Sequence, residues 1–231
     1  MTGSPPHISK MAVTRTATIA SSAPLTAPVD TVWIVLHGYA QLAPEFLSAF
    51  ESAASPNVLF VAPEGLSRFY RRHRSDDIGA SWMTTINRDD EISDYIAYLN
   101  QVYDLILEQQ GRRPESMGIL GFSQGSSTAS RWVYANRQNA PGGRANSVRS
   151  VDRLVLWGGS PANELRTATF QNEIAPCLTD WVTGTNDRFT PPEKLQELLP
   201  LMDSRENPIK FTTYDGKHEI EPATLQQILF G

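Results

Sequence analysis

The chain has one cysteine, Cys177, among 231 residues. No intramolecular disulfide can form, which excludes the cross-linked framework of small secreted domains and points to a reducing cytoplasm. A surplus of positive charge is also missing, with 20 Lys and Arg against 25 Asp and Glu for a net charge of -5. A chain that neutralises nucleic-acid phosphates over a binding face needs the opposite balance, so no nucleic-acid partner is expected. No stretch approaches the roughly 20 consecutive apolar residues of a membrane-spanning helix, and none near the N-terminus makes a signal-peptide core. Internal repeats and low-complexity tracts are absent as well. What remains is an ordinary globular composition, 40% hydrophobic and 19% charged, at a length that one α/β domain can fill. The expected organisation is a disordered lead over residues 1–11, containing Pro5, Pro6 and His7, then a single domain over 12–231.

Two kinds of strand pattern recur. Ala12 to Ile19 alternates polar and apolar residues and predicts an edge strand. Compact apolar runs at Thr31–Leu36, Val58–Ala62, Met117–Gly121, Leu154–Trp157, Leu178–Thr183 and Ile209–Tyr214 predict parallel strands buried on both faces. Helical periodicity lies between them. It is clearest from Asp89 to Glu108, which Gly111 ends, and recurs at Pro44–Ala53, Gln124–Arg137, Pro192–Met202 and Pro222–Leu229. This alternation implies an α/β fold, a mostly parallel central sheet with helices on both faces, and ligands at the carboxyl ends of its strands. Glu64–Asn87 and Asn139–Ser150 read as irregular segments.

The chemistry concentrates at those strand ends. Gly121-Phe122-Ser123-Gln124-Gly125 joins an apolar strand to a helix, the setting of a nucleophile elbow, where a side chain two residues from the serine on either side would clash. The bare pattern is short, and the alternative is a plain Gly-rich turn, but its placement and two downstream partners favour the elbow. Asp187, just past the Leu178–Thr183 run, can orient an imidazole, and its plainer alternative is a turn or helix-capping aspartate. Asp180 competes, but sits within a strand. His218 follows the Ile209–Tyr214 strand and completes the order Ser, Asp, His, with Ser123 as nucleophile and His218 as general base. His37 reads as a buried brace, and the backbone N–H groups of Tyr39 and Gln124 as oxyanion donors. Trp82 and Phe189 are candidates for a substrate wall, and equally for plain core. Arg71 and Arg72, in a run from Arg68 to Arg74, either bind an anionic substrate group or form surface ion pairs with nearby carboxylates.

Leu36-His37-Gly38, Ala62-Pro63-Glu64-Gly65, the Gly121 to Gly125 elbow, Gly184-Thr185-Asn186-Asp187 and Gly216-Lys217-His218 together resemble the carboxylesterase/phospholipase family of α/β hydrolases, including acyl-protein thioesterase-like proteins and small bacterial esterases. Tyr39 departs from the leucine that follows His-Gly in that family. The resemblance implies a serine esterase without a lid domain, needing neither metal nor cofactor, that cleaves small carboxylic esters through an acyl-enzyme. A thioesterase or lysophospholipase using the same three residues is the alternative. A non-catalytic binding protein of the same fold is a more distant one, since such proteins commonly lose one of the three.

Overall fold

The computed structural model describes residues 6–73, 76–138, 149–174, 177–202 and 207–231. Its centre is a seven-stranded sheet built from β1 (Ile19–Ser21), β2 (Thr31–Leu36), β3 (Val58–Pro63), β6 (Ser116–Phe122), β7 (Arg153–Trp157), β8 (Leu178–Gly184) and β9 (Lys210–Tyr214), in the order β1-β3-β2-β6-β7-β8-β9. All neighbours are parallel except β1 and β3. The six apolar runs are the six parallel strands, each within about one residue of its expected ends.

Their apolarity has a direct cause in packing. Along β2, Val32, Ile34 and Leu36 face a core formed with Leu99, Val102 and Ile106 of α2 (Arg88–Gln110) and Trp132 of α3 (Gln124–Gln138). Trp33 and Val35 point the other way, onto Phe46 of α1 (Ala43–Leu47), Phe50 of the 3-10 turn after it, and Leu225 and Ile228 of α6 (Pro222–Phe230). Each fully buried Leu, Ile or Phe contributes about 1.5 to 3 kcal/mol of transfer free energy, so the sheet is held by its coverage on both sides. Gly111 ends α2 in the left-handed conformation at φ 65°. Two further α-helices, α4 (Phe170–Ile174) and α5 (Pro192–Met202), and a 3-10 turn at Asn163–Leu165 complete the helical set among the described residues, and none of these helices is long and apolar enough to cross a membrane.

Three expectations need correction. The edge strand is Ile19–Ser21, not Ala12 to Ile19: its partner β3 ends at Pro63, opposite Ile19, and residues before Thr18 have no strand to pair with. Within the segment expected to be irregular, β4 (Ser67–Tyr70) and β5 (Ile78–Ser81) form an antiparallel hairpin. The helix at Pro44–Ala53 divides into α1 and a 3-10 turn over Ser48–Ala53. Most of the expected loop Asn139–Ser150, and Arg74, lie outside the described residues.

The parallel register sets the site. Leu36 pairs with Gly121, Phe122 with Trp157, Trp157 with Val182 and Gly184 with Tyr214, so the residues that follow each of these strands leave the sheet along one edge.

Candidate active site

Ser123 occupies the one-residue turn between β6 and α3 at φ 54°, a left-handed conformation that costs a non-glycine residue on the order of 1 kcal/mol or more. Close packing holds it there. A Cβ on Gly121 would come within 2.2 Å of the Gly125 carbonyl oxygen, and one on Gly125 within 2.2 Å of the Leu36 carbonyl oxygen. Ser123 N–H donates to the Trp157 carbonyl at 2.8 Å, and Ser126 Oγ donates to the Gly121 carbonyl at 2.7 Å. The strained turn is thus fixed to two strands.

His218 lies four residues beyond β9, with its ring 4.7 Å from that of Phe122, the residue preceding Ser123, and 4.8 Å from that of Phe189. Its Nδ1 donates to Asp187 Oδ2 at 2.7 Å. Asp187 also accepts from the N–H groups of Phe189 (2.8 Å) and Thr190 (2.9 Å) and from Thr190 Oγ1 (2.8 Å). Burial opposes charge on Asp187, but the bonds from His218, Thr190 and Phe189 outweigh it and hold the carboxyl below its ordinary value. The histidine loop is braced from beneath: Trp157 Nε1 donates to the Glu219 carbonyl at 2.8 Å, and the Tyr214 hydroxyl lies 2.6 Å from the same oxygen. Asp180 is elsewhere. It is buried and accepts from Arg153 on the adjacent strand at 2.7 Å.

The loop after β2 supplies the opposite wall. Gly38 N–H donates to Gln41 Oε1 at 2.8 Å, Ala40 takes φ 68°, and Ala40 N–H donates to the Ala80 carbonyl at 2.9 Å. Among the described residues, the N–H groups of Tyr39 and Gln124 have no acceptor. His37 is wholly buried; Nδ1 donates to the Gly38 carbonyl at 2.7 Å and Nε2 accepts from Gly65 N–H at 2.9 Å. Burial lowers its pKa, keeping it a neutral brace.

Residues 32–228 match the sequence family described as serine hydrolase (FSH1). The chain belongs to the FSH1 serine hydrolase family. No curated protein matches it. Among solved structures, this serine hydrolase resembles acyl-protein thioesterase 2 of Zea mays, at 14% identity over 92% of this chain and 96% of that one, with a TM-score of 0.66. It also resembles esterase PE8, at 18% identity over 92% and 99% of the two chains and a TM-score of 0.62. The carboxylesterase of Mesorhizobium loti is a third such structure, at 18% identity over 90% and 91% with a TM-score of 0.61. At these identities the likeness is one of α/β-hydrolase fold.

Two side chains expected to touch substrate serve the hydrolase differently. Trp82 is 2% exposed, its indole N–H donates to the His37 carbonyl at 2.9 Å, and its ring lies 5.1 Å from that of His37; it is a brace. Arg71 spends its guanidinium on the Ala40 carbonyl (2.6 Å), Glu45 (2.6 Å) and Asp77 (3.2 Å), so the ion-pair alternative describes it. Arg72 is exposed and lies 3.9 Å from Asp77. Phe189 is 78% exposed, with its ring 4.8 Å from that of His218.

A cavity of about 250 Å³ opens beside His218. Phe46, Ala49, Phe122 and Ile220 give it an apolar lining, and Gln41, Glu45 and Glu219 a rim of acceptors. Composition carried no signal for this rim, because Glu45 and Glu219 lie far apart in the chain and are exposed like any surface acid. Thr190 was more legible, as a hydroxyl three residues after an aspartate in a turn. Cys177 is no rival nucleophile: it is buried, and burial pushes its thiol up to about 12.

Proposed function

We propose that this serine hydrolase cleaves small carboxylic esters, with Ser123 as nucleophile, His218 as general base and Asp187 as the group that orients the imidazole. The observation that carries the reading is the 2.7 Å bond from His218 Nδ1 to a buried, four-fold bonded Asp187, beside a serine held at φ 54° on a strand-to-helix elbow. With Nδ1 committed as a donor, Nε2 is left as the basic nitrogen.

Ser123 Oγ forms a bond to the ester carbonyl carbon as His218 Nε2 takes its proton. Negative charge collects on the former carbonyl oxygen, stabilised by the N–H groups of Tyr39 and Gln124; each such donor is worth about 3 kcal/mol in the transition state. The C–O bond to the alcohol then breaks, and the alcohol leaves with the proton from His218. Water repeats the sequence on the acyl-enzyme and releases the acid.

The cavity beside His218 suits a short group with an apolar body, being smaller than sites for drug-sized ligands. Of its rim acids, Glu45 is paired with Arg71 at 2.6 Å, so Glu219 is the charge that favours a neutral or cationic end over an anionic one. A thioester would undergo the same steps, and matched thioester and oxyester substrates separate the two. The reading is tested by Ser123→Ala: hydrolysis of short p-nitrophenyl esters should vanish with the fold kept, and turnover above trace would overturn it.

A further inference from the structure

We infer that the side-chain amide of Gln124 is the positioning group of the oxyanion site, clamping the Ser81–Met83 segment that in turn carries the loop of Tyr39. The inference rests on the serine-esterase reading and adds a role for a side chain to that of its own backbone N–H.

Gln124 opens α3, where its side chain is free to extend into water. Instead, Oε1 accepts from Trp82 N–H at 3.1 Å, Nε2 donates to the Met83 carbonyl at 3.0 Å, and Ser81 Oγ sits 3.1 Å from Nε2. The amide therefore bridges the N–H of Trp82 and the carbonyl of Met83 in the bend just past β5. Exchanging its O and N would set Oε1 against the Met83 carbonyl and Nε2 against the Trp82 N–H, so the pattern of partners fixes the orientation.

The clamped segment continues to the other half of the site. Trp82 Nε1 holds the His37 carbonyl at 2.9 Å. Ala80, one residue before Ser81, receives Ala40 N–H at 2.9 Å and gives its own N–H to the Gln41 carbonyl at 3.2 Å. A Cβ on Gly79 would come within 2.5 Å of the Ala40 carbonyl oxygen, so β5 lies flush against that loop. Tyr39 is thereby enclosed between His37 and Ala40, both tied to the segment that Gln124 grips.

The need for such a tie follows from the chemistry. Two N–H groups must point at one developing oxyanion, about 2.7 to 3.1 Å from each. One comes from the loop after β2 and the other from the helix after β6. The sheet sets these elements side by side, but a catalytic constellation must hold to about 0.5 Å. A hydrogen-bonded cross-brace between them supplies that precision, and it also holds Ala40 at φ 68°.

The experiment compares wild type with Gln124→Met, of similar length but without the amide, and with Gly79→Ala, which disturbs the far end of the brace. Three quantities are read: kcat/KM for a short p-nitrophenyl ester, the inhibition constant of a trifluoromethyl ketone whose serine adduct carries an oxyanion, and the thermal midpoint. Both variants should lose about ten- to a hundredfold in kcat/KM, mostly in kcat, and weaken the ketone by the same factor. The thermal midpoint of Gln124→Met should stay within a few degrees. Unchanged kcat/KM and ketone affinity in Gln124→Met would overturn the positioning role, as would a loss in KM alone. Turnover that disappears in Ser123→Ala but stays at the wild-type level in Gln124→Met would sink this inference alone, whereas turnover surviving Ser123→Ala would sink the esterase reading with it.

Discussion

Asp187 and His218 are joined by a 2.7 Å hydrogen bond, and the aspartate is held for that bond by the chain immediately beyond it. Phe189 and Thr190 fill its other oxygen and share the bonded one, so the carboxylate cannot rotate away without losing three further hydrogen bonds.

Asp187→Asn should therefore lower turnover by up to about four orders of magnitude, since the amide can present its N–H to Nδ1 and favour the wrong tautomer. Asp180→Asn should leave kcat within a few-fold and instead reduce stability, because its partner is Arg153. Steady-state kinetics and urea unfolding of both variants check the contrast; a larger kcat loss at Asp180 would reverse the assignment.

His37 predicts a pH dependence of stability. The unfolded chain takes up a proton near pH 6.5, whereas the buried imidazole, with its pKa lowered, does not. The unfolded state binds more protons there, so stability is present above pH 6.5 and is lost as pH falls, by up to about 1.4 kcal/mol per unit, until the folded imidazole protonates. Asp187 acts in a separate window. Its stabilising charge is present above the ordinary carboxylate value and is lost only as pH falls through its lower folded value. Urea unfolding between pH 7 and pH 5.5 should show a shallower slope for His37→Gln than for wild type.

Arg71 binds the Ala40 carbonyl and two carboxylates, so Arg71→Ala should loosen the Tyr39 loop. The expected result is a similar fall in kcat/KM, about three- to tenfold, for neutral and anionic esters alike. A selective loss on anionic esters would restore the arginine as an anion contact.

Glu219 at the cavity, with Glu45 already paired to Arg71, predicts the reverse charge preference. With acyl group and leaving alcohol matched in size, a cationic ester should be turned over several-fold better than its anionic counterpart, and Glu219→Gln should narrow that ratio while sparing the neutral ester. Competition assays at low and high salt measure it; salt should narrow the ratio too.

Much of this was written locally. The six parallel strands are legible because coverage on both faces demands unbroken apolar runs such as Thr31–Leu36, and the Ser123 elbow is legible because its glycines answer to contacts of 2.2 Å. The β4–β5 hairpin was not: Ser67-Arg68-Phe69-Tyr70 is half exposed, and its charged residues read as loop. Trp82 stayed open between wall and core because an aromatic residue near a site says nothing of its N–H, and here that N–H is bound to the His37 carbonyl. Nor could the sequence show that Gln124 turns its amide onto Trp82 and Met83, since that pairing depends on the end of the β4–β5 hairpin lying against the start of α3 about forty residues later.

The central claim is that Ser123 is the activated nucleophile, and active-site labelling with a fluorophosphonate followed by peptide mass spectrometry tests it most directly. The expected result is one equivalent of label on the peptide containing Ser123, with loss of ester hydrolysis in proportion and no labelling of Ser123→Ala. Label on another residue, or full esterase activity in protein whose Ser123 is unlabelled after saturating exposure, would contradict it.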